Sequence, residues 1–133
     1  MNYIRENKND LISICIVTQN NYNFMEKLLN SIFTLYQDSK IEIVIVDNNS
    51  KDNTSQLIED FKNKGRIPII YIKRKREFSL PENRNLAIKN SNGDIIVMID
   101  SDIEFVDKKF FNTIRKIFQN NDVSMLAPLI IFS

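Results

Sequence analysis

Short apolar runs alternate with amphipathic stretches along the whole chain. Four runs of mostly apolar residues, and a fifth that contains Pro128, predict strands over 11–17, 41–47, 67–73, 94–100 and 123–132. Between them, apolar residues spaced three and four apart predict helices over 23–36, 52–64, 79–90 and 107–119. Strands that are apolar on both faces and alternate with helices predict an α/β fold, with a mainly parallel sheet covered by helices on both sides.

Local signals at the ends of these elements agree with this assignment. Ser79 and Glu82 have the spacing of a capping box, and Pro81 between them suits the first turn of a helix. Asp107 is a candidate N-cap for the helix over 107–119. Pro68, near the start of the third strand, predicts an edge strand or a first-residue position, because proline has no N–H to donate.

Polar clusters follow three of the strands at the point where each strand ends. The first strand runs into Thr18-Gln19-Asn20, the second into Asp47-Asn48-Asn49-Ser50 and the fourth into Asp100-Ser101-Asp102. The carboxyl ends of parallel strands meet at one edge of a sheet, where ligands bind at a switch in strand order. We therefore expect the three clusters, together with Arg84, to face one cleft.

The pair Asp100 and Asp102 suggests a metal site. The chain has no histidine, and its single cysteine, Cys15, lies inside an apolar run, so the available ligands favour a hard cation such as Mg²⁺ or Mn²⁺. Such a cation takes phosphate oxygens as further ligands and neutralises charge on a leaving diphosphate. A solvated turn is the alternative interpretation, since an Asp-x-Asp pair is common by chance in a chain so rich in aspartate.

The other candidate residues also have ordinary structural interpretations. Ser50 or Asp52 also fits the cap of a helix, Thr18 and Asn20 are frequent in loops, and Arg84 suits a helix surface. The basic run "KRKR" at 73–76 fits a solvated strand end, or alternatively a patch that faces phosphate or an acidic acceptor. The pair "FF" at 110–111 is expected in the core.

Composition excludes several classes of function. A net charge of +1 with 43% apolar and 26% charged residues gives no bulk attraction to nucleic acid or to an anionic membrane. Without histidine there is no Ser-His-Asp or Cys-His catalysis, and the only glycines, Gly65 and Gly93, are too far apart for a Walker loop. Residues 1–10 form a polar extension unlike a signal peptide, and no apolar run is long enough to span a membrane. We expect a cytoplasmic protein with a buried free thiol at Cys15, and peripheral membrane association stays open.

The order of the strand-end motifs resembles family 2 glycosyltransferases, which have the GT-A fold and use nucleotide-sugar donors. The turn at 17–20 is similar to the family's "PTYN", and "VDNNSKDNT" at 46–54 is similar to "VDDGSxDxT". "ENRNLAIKNSNGDIIVMIDSD" at 82–102 resembles the "ARN"-like helix start followed by "GDxIxxxDxD". The resemblance covers about residues 11–132, so residues 11–133 are expected to form a Rossmann-like GT-A domain that is incomplete at its carboxyl end.

The resemblance also implies site residues. It assigns the donor nucleotide to Thr18, Asn20, Asp47, Asn48, Arg84 and Asp100, and the metal to Asp102 with Asp100. Thr18 and Asn48 resemble contacts to the base, and Arg84 resembles an arginine near the base or phosphates. Asp100 resembles the residue at the ribose or the metal's water shell, and Asp102 the direct ligand of Mn²⁺ or Mg²⁺.

The implied activity is inverting transfer of a sugar from a nucleotide diphosphate, with a UDP-sugar as the first candidate, to the hydroxyl of an unidentified acceptor, as in bacterial polysaccharide biosynthesis. Val17 and Gln19 replace the motif's proline and tyrosine, which removes the side chain expected to stack on the base. The acceptor site and the catalytic base are expected beyond the end of the chain, and Glu104 is not assigned to that role.

Two other functions compete with this interpretation. The chain could be a nucleotide-binding or structural module without transferase activity, since it lacks the base. A haloacid-dehalogenase-like phosphatase would need its Asp-x-Asp strand early in the chain, whereas here Asp102 comes late. The apolar segment 129–132 predicts dimerisation or strand exchange through that segment.

Overall fold

The computed structural model describes residues 10–37, 40–120, 122 and 124–127. The strands are β1 (Ile12–Thr18), β2 (Ile41–Asp47), β3 (Ile69–Lys73) and β4 (Ile95–Asp100), and the helices are α1 (Tyr22–Leu35), α2 (Thr54–Asn63), α3 (Leu80–Lys89) and α4 (Phe110–Asn120). Most predicted boundaries are within two residues of these. The predicted final strand is not seen at 124–127, which have no strand structure, and its other residues, 123 and 128–132, lie outside the described residues.

The four strands form one parallel sheet in the order β3-β2-β1-β4. Ile12 of β1 is paired with Ile41 on one side and with Ile95 on the other. The central strands are buried on both faces, which explains why their sequences are apolar runs without alternation. The predicted α/β fold with a mainly parallel sheet is confirmed, and Pro68 directly precedes the edge strand β3, as predicted.

The helices cover both faces of the sheet. From β1 to β2 to β3 the chain adds each new strand on the same side of the sheet, and it then returns to add β4 on the other side of β1. Right-handed crossover connections therefore place α1 and α2 on one face of the sheet and α3 on the other. The larger core agrees, with Ile14 packed among side chains of α1, α2 and α4. The smaller core joins Cys15, Val44 and Val46 to Ala87 of α3. Cys15 is a fully buried free thiol, as the sequence predicts.

An aromatic cluster attaches α4 to the end of α1. The ring centroids of Tyr36 and Phe111 are 4.5 Å apart, and Phe105 and Phe110 pack against the same group. The Tyr36 hydroxyl donates to the backbone carbonyl of Asp107. Burial, with the nearby Asp107 carboxylate, raises the pKa of Tyr36 to about 12, so this hydroxyl stays a donor at neutral pH. The expected core position of "FF" at 110–111 is confirmed for Phe111, which is 1% exposed.

The start of α4 differs from the sequence prediction. The Asp107 carboxylate accepts a hydrogen bond from the backbone N–H of Lys109 (2.8 Å), and the helix begins only at Phe110. Asp107 therefore closes a turn before the helix and does not cap it. The capping box of α3 is confirmed, because the Ser79 hydroxyl accepts from the Glu82 N–H while the Glu82 carboxylate accepts from the Ser79 N–H, both at 3.3 Å.

A buried carboxylate joins three segments at the amino edge of the sheet. Glu42 is 5% exposed, and its side chain accepts hydrogen bonds from the Ser13 hydroxyl (2.6 Å) and from the backbone and side-chain N–H groups of Asn92 (2.7 and 3.1 Å). Burial acts to raise the pKa of Glu42, but these hydrogen bonds outweigh it and the pKa lies below its ordinary value. The Gly93 N–H donates to the same Ser13 hydroxyl (2.8 Å).

None of the helices that the structure describes combines the length and the apolar character needed to cross a membrane.

Candidate functional site

The polar clusters that follow β1, β2 and β4 lie together at the carboxyl edge of the sheet, as its parallel order requires. The strand order reverses between β1 and β4, and the crevice outside their carboxyl ends is where open α/β sheets bind ligands. The hydrogen bond from the Asn21 side chain to the Ser101 hydroxyl (2.6 Å) joins the two sides of this crevice. The sequence analysis placed Ser101 in the cluster after the fourth strand but did not mark Asn21, and it could not predict their contact because the two residues are far apart in the chain.

The turn after β1 is fastened to the turn after β2. The Thr18 carbonyl accepts from the Asn48 N–H (2.8 Å), and the Asn20 N–H donates to the Ser50 hydroxyl (2.9 Å). Asn20 adopts a left-handed backbone conformation with φ of 49°, which asparagine tolerates better than most residues. Its side-chain oxygen then accepts from the Lys51 N–H (2.7 Å). The two turns therefore form one structural unit.

Thr18 lies at the inner end of this unit. Its side chain is 2% exposed, and its hydroxyl has no hydrogen-bond partner among the described residues. A buried hydroxyl without a partner is uncommon and costs free energy. Thr18 therefore carries an unsatisfied buried hydroxyl at the carboxyl end of β1.

Asp47, at the end of β2, is fully buried. One carboxylate oxygen accepts from the Ser50 N–H (2.9 Å), and the other lies 2.8 Å from the Tyr71 hydroxyl and 3.4 Å from the Ser55 hydroxyl. Burial and then the Asp47 carboxylate raise the pKa of Tyr71, so Tyr71 remains protonated and can donate. The buried Asp47 carboxylate therefore stabilises the turn after β2. Its partners Tyr71 and Ser55 were not identified from the sequence.

Asn48 connects this turn to the segment before α3. Its side-chain oxygen accepts from the Phe78 N–H (2.8 Å), while its amide group donates to the Phe78 carbonyl (3.1 Å) and to the Gln19 side chain (3.2 Å). Asn48 is 8% exposed, and its side chain bonds both the N–H and the carbonyl of Phe78, as the backbone of a neighbouring strand would. Asn48 therefore fixes the position of the loop that leads into α3.

The motif after Asn48 also has a structural role. The Asp52 carboxylate accepts from the Thr54 N–H (3.0 Å) at the start of α2 and from the Tyr22 N–H (3.3 Å) at the start of α1. Slight burial acts to raise the pKa of Asp52, but the hydrogen bonds lower it on balance. Asp52 therefore satisfies a backbone N–H group at the start of each of these two helices, which agrees with its interpretation as a capping residue.

Arg84 of α3 reaches across to the end of β4. Its guanidinium lies 3.3 Å from the Asp100 carboxylate, and both side chains are largely open to solvent, at 42% and 70% exposure. Asp102 is exposed and has no hydrogen-bond or ion-pair partner in the described part of the chain. The structure therefore brings Arg84 and Asp100 together and leaves the second carboxylate free.

The donor set suits a cation that takes most of its ligands from elsewhere. Among the described residues, no three of the side chains His, Cys, Asp and Glu gather in a group that could enclose a metal. Asp100 and Asp102 follow the same strand, and two carboxylates are what Mg²⁺ or Mn²⁺ commonly takes from a protein when phosphate oxygens and water complete its shell. These residues fit such a cation and do not fit a closed structural metal site.

The predicted site residues therefore fall into two groups. Thr18, Arg84, Asp100 and Asp102 present polar groups that are free or exposed. The side chains of Asn20, Asp47 and Asn48 are engaged in holding the turns.

The family model described as "Glycosyl transferase family 2" matches residues 13–133. The abequosyltransferase RfbV of Salmonella typhimurium is 39% identical over 95 residues, which are 69% of this chain and 28% of RfbV. The poly(ribitol-phosphate) β-N-acetylglucosaminyltransferase TarS of Staphylococcus aureus is 28% identical over 98 residues, which are 73% of this chain and 17% of TarS.

Solved structures give the same result for the fold. The crystal structure of S. aureus TarS residues 1–349 in complex with UDP-GlcNAc has a TM-score of 0.72 and 26% identity, over 82% of this chain and 31% of that one. The GT-A fold predicted from the sequence is thereby confirmed. The chain spans less than a third of the length of the relatives and structures compared.

Proposed function

Because the chain belongs to glycosyl transferase family 2, we propose that it is the part of a glycosyltransferase that binds a nucleoside diphosphate sugar, and that the whole enzyme transfers the sugar to an acceptor hydroxyl. The observation that carries the proposal is the ion pair between Arg84 and Asp100 at the carboxyl end of β4, which is paired with β1 next to Thr18. The first candidate donor is a UDP-sugar, which is supported by the similarity to TarS, whose structure contains UDP-GlcNAc.

In this proposal the buried end of the crevice receives the base. The unpartnered Thr18 hydroxyl supplies a hydrogen bond there. Asn20 and Asp47 contribute by holding the two turns in place, and Asn48 by fixing the segment at Phe78 above them. Binding affinity is higher when the groups that orient a ligand are already held in place, because less conformational entropy is lost on binding.

The open end of the crevice receives the diphosphate. Arg84 presents a planar guanidinium, which suits phosphate oxygens, and it lies beside Asp100. Asp102 and Asp100 would hold Mn²⁺ or Mg²⁺, with Asp102 as the direct ligand and Asp100 at the ribose or the metal's water shell. The cation supplies stabilisation of the negative charge that develops on the leaving diphosphate. The residues themselves bind and orient the donor, so the base that deprotonates the acceptor is assigned to none of them.

The sugar and the stereochemistry stay open in this proposal, with inversion as its first candidate outcome. One relative is an abequosyltransferase and another is an N-acetylglucosaminyltransferase, so similarity alone does not identify the sugar that is transferred. The buried free thiol of Cys15 supports a reducing compartment, and we place the reaction in the cytoplasm as part of polysaccharide biosynthesis.

Calorimetric titration of UDP tests the donor site, with and without Mn²⁺. The test variant is Asp102→Asn at the carboxyl end of β4, and the matched control is Asp94→Asn, an exposed aspartate just before β4 at the opposite edge. We expect UDP binding that requires Mn²⁺, is lost in the first variant and is kept in the second. If UDP, GDP and dTDP all fail to bind with metal present, the donor-site proposal is wrong.

A module that binds nucleotide but does not transfer sugar is the second candidate. The observation that favours it is that the polar residues at the carboxyl edge of the sheet have roles in binding a donor or in holding the turns, and none of them is assigned as the base that deprotonates an acceptor. A turnover assay with radiolabelled UDP-sugar separates the two, because only label that appears on an acceptor counts as transfer. A donor that is bound but stays intact would support the binding module, and release of free sugar alone is hydrolysis and does not count as transfer.

A further inference from the structure

A run of four cations connects β3 to the segment before α3 at the same edge of the sheet. We call it the basic loop: Lys73, Arg74, Lys75 and Arg76. With Phe78 and Ile72 these residues line an open hollow. The whole chain has a net charge of only +1, so the positive charge of the basic loop is a local concentration and not a general property of the surface.

Both ends of the basic loop are fixed to the end of β2. The Arg74 N–H donates to the Asp47 carbonyl (2.8 Å), and the Phe78 backbone is held on both its N–H and its carbonyl by the Asn48 side chain. The Lys73 ammonium donates to the Ser55 hydroxyl (2.7 Å). The loop is therefore a fixed neighbour of the crevice and not a free surface segment.

Phe78 arranges the two guanidinium groups. The central carbon of Arg74 lies 3.5 Å from the centroid of the Phe78 ring, and that of Arg76 lies 4.0 Å from it. Stacking on an aromatic ring holds a guanidinium by its face and leaves the N–H groups of its edge available, which suits bidentate binding of phosphate.

The charges of the basic loop are not neutralised within the protein. In the described part of the chain, none of the four cations forms an ion pair, and the adjacent Glu77 accepts instead from the Gln19 side chain (2.7 Å). The Nε atom of Arg74 is buried without a hydrogen-bond partner. Lys75 and Arg76 are exposed. Cations that lack an ion pair and lie close together, two of them exposed, form a local positive surface that suits an external oxyanion.

We propose that the basic loop binds the phosphate groups of a water-soluble phosphodiester chain, and that this chain is the acceptor. The proposal rests on the proposed transferase function, since it assigns an acceptor to the loop beside the donor crevice. A soluble chain fits better than a lipid surface because Phe78 lies half-buried beneath the guanidinium groups and cannot insert into a bilayer. Among the described residues, Leu80 is the exposed large apolar side chain nearest to the loop in sequence, at 47% exposure.

The experiment measures binding of a fluorescein-labelled oligo(glycerol phosphate) to the 133-residue chain by fluorescence anisotropy. The test variant is Lys75→Gln with Arg76→Gln, which leaves the contacts of Lys73 and Arg74 intact. The matched control is Lys108→Gln with Lys109→Gln, which makes the same change of charge at two exposed lysines beside the aromatic cluster. Glycerol 3-phosphate, vesicles of phosphatidylglycerol with phosphatidylcholine, and UDP with Mn²⁺ are tested on all three proteins.

We expect the oligomer to bind more tightly than glycerol 3-phosphate. The test variant should lose about tenfold or more in affinity for it, because two charge-assisted contacts are removed. The control variant should lose less than about twofold, and UDP binding should be equal in all three proteins.

Other outcomes overturn the inference, each in a distinguishable way. If UDP binds and the oligomer does not, or if the test variant binds the oligomer normally, the donor proposal stands and the acceptor inference is wrong. If the test variant also loses UDP, the loop belongs to the donor site. If only vesicles are bound and the test variant releases them, the loop is a membrane contact. If the oligomer binds but UDP, GDP and dTDP all fail to bind with Mn²⁺ present, the loop is an anion site and the donor-site proposal is wrong, so the bound chain is no acceptor.

Discussion

Glu42→Gln is expected to destabilise the protein at neutral pH and to have little effect in acid. The Glu42 carboxylate is 5% exposed and accepts three hydrogen bonds, two of them on one oxygen from Ser13 and the Asn92 backbone. The amide oxygen of glutamine can accept those two, as neutral bonds. Its NH₂ group would face the NH₂ group of Asn92, so the third bond is lost. The expected loss is about 1–3 kcal/mol of unfolding free energy at pH 7.

The pH dependence follows from the direction of the pKa shift. The folded-state pKa of Glu42 is below its ordinary value of 4.5, so the folded protein binds the proton less readily than the unfolded chain. The carboxylate therefore contributes stability that is fully present above pH 4.5 and is lost as the pH falls through the folded-state pKa. The difference between wild type and variant should shrink over the same window, because protonated glutamate and glutamine are alike in charge and shape.

Urea unfolding followed by far-UV circular dichroism measures both effects, at pH 7 and in steps downward from pH 5. Glu59→Gln is the control, because Glu59 is an exposed residue of α2 and its removal changes the net charge equally. A Glu42→Gln variant that is as stable as wild type at pH 7 would refute the reasoning. So would a difference in unfolding free energy that stays constant into acid.

Three further changes should lower the unfolding free energy, measured in the same way at pH 7. Gly93→Ala should cost about 1–3 kcal/mol or more, because a Cβ atom there would lie 2.6 Å from the Ser13 hydroxyl oxygen and 2.7 Å from backbone atoms. Ser79→Ala should cost about 0.5–2 kcal/mol, through loss of the α3 cap. Tyr71→Phe should cost about 1–3 kcal/mol, because the buried Asp47 carboxylate loses its 2.8 Å partner.

Each of these changes has a clear negative result. A Gly93→Ala variant of unchanged stability would mean that β1 leaves more space around this position than the 2.6 and 2.7 Å distances indicate. A Ser79→Ala variant as stable as wild type would mean that the capping box adds nothing to α3. Tyr22→Phe is the control for Tyr71→Phe, since the Tyr22 hydroxyl meets Glu26 at the surface. Equal effects of the two tyrosine changes would contradict the role given to Asp47.

Much of the fold was predictable because the sheet is buried on both sides. The β2 run "IEIVIVD" has no polar face, and this pattern placed the strand correctly at 41–47. The start of α3 was predictable from a reciprocal signal, the pairing of Ser79 with Glu82. A lone aspartate such as Asp107 gave the wrong helix start, because a single carboxylate serves a turn as well as a cap.

The candidate site was predictable in its location but not in its internal contacts. In the sequence Asp47 and Asp102 look alike, since both are aspartates at strand ends. In the structure the first is fully buried and the second exposed. Tyr71 of β3 and Ser55 of α2 make the difference, and no local pattern assigns either of them to Asp47. Similarly, the bonds between Asn48 and Phe78 depend on where a distant loop folds back.

The topology also determines when the crevice forms. The β1–β2 and β2–β3 pairs each join consecutive strands, whereas the β1–β4 pair joins Ile12 to Ile95, on the far side of the whole β2–β3 half. Contacts between distant parts of a chain cost more loop-closure entropy and tend to form late in folding. The crevice lies between these two strands, so we expect its two sides to come together only when β4 docks. We also expect local opening of β4 to separate the two sides of the candidate site while β1, β2 and β3 stay paired.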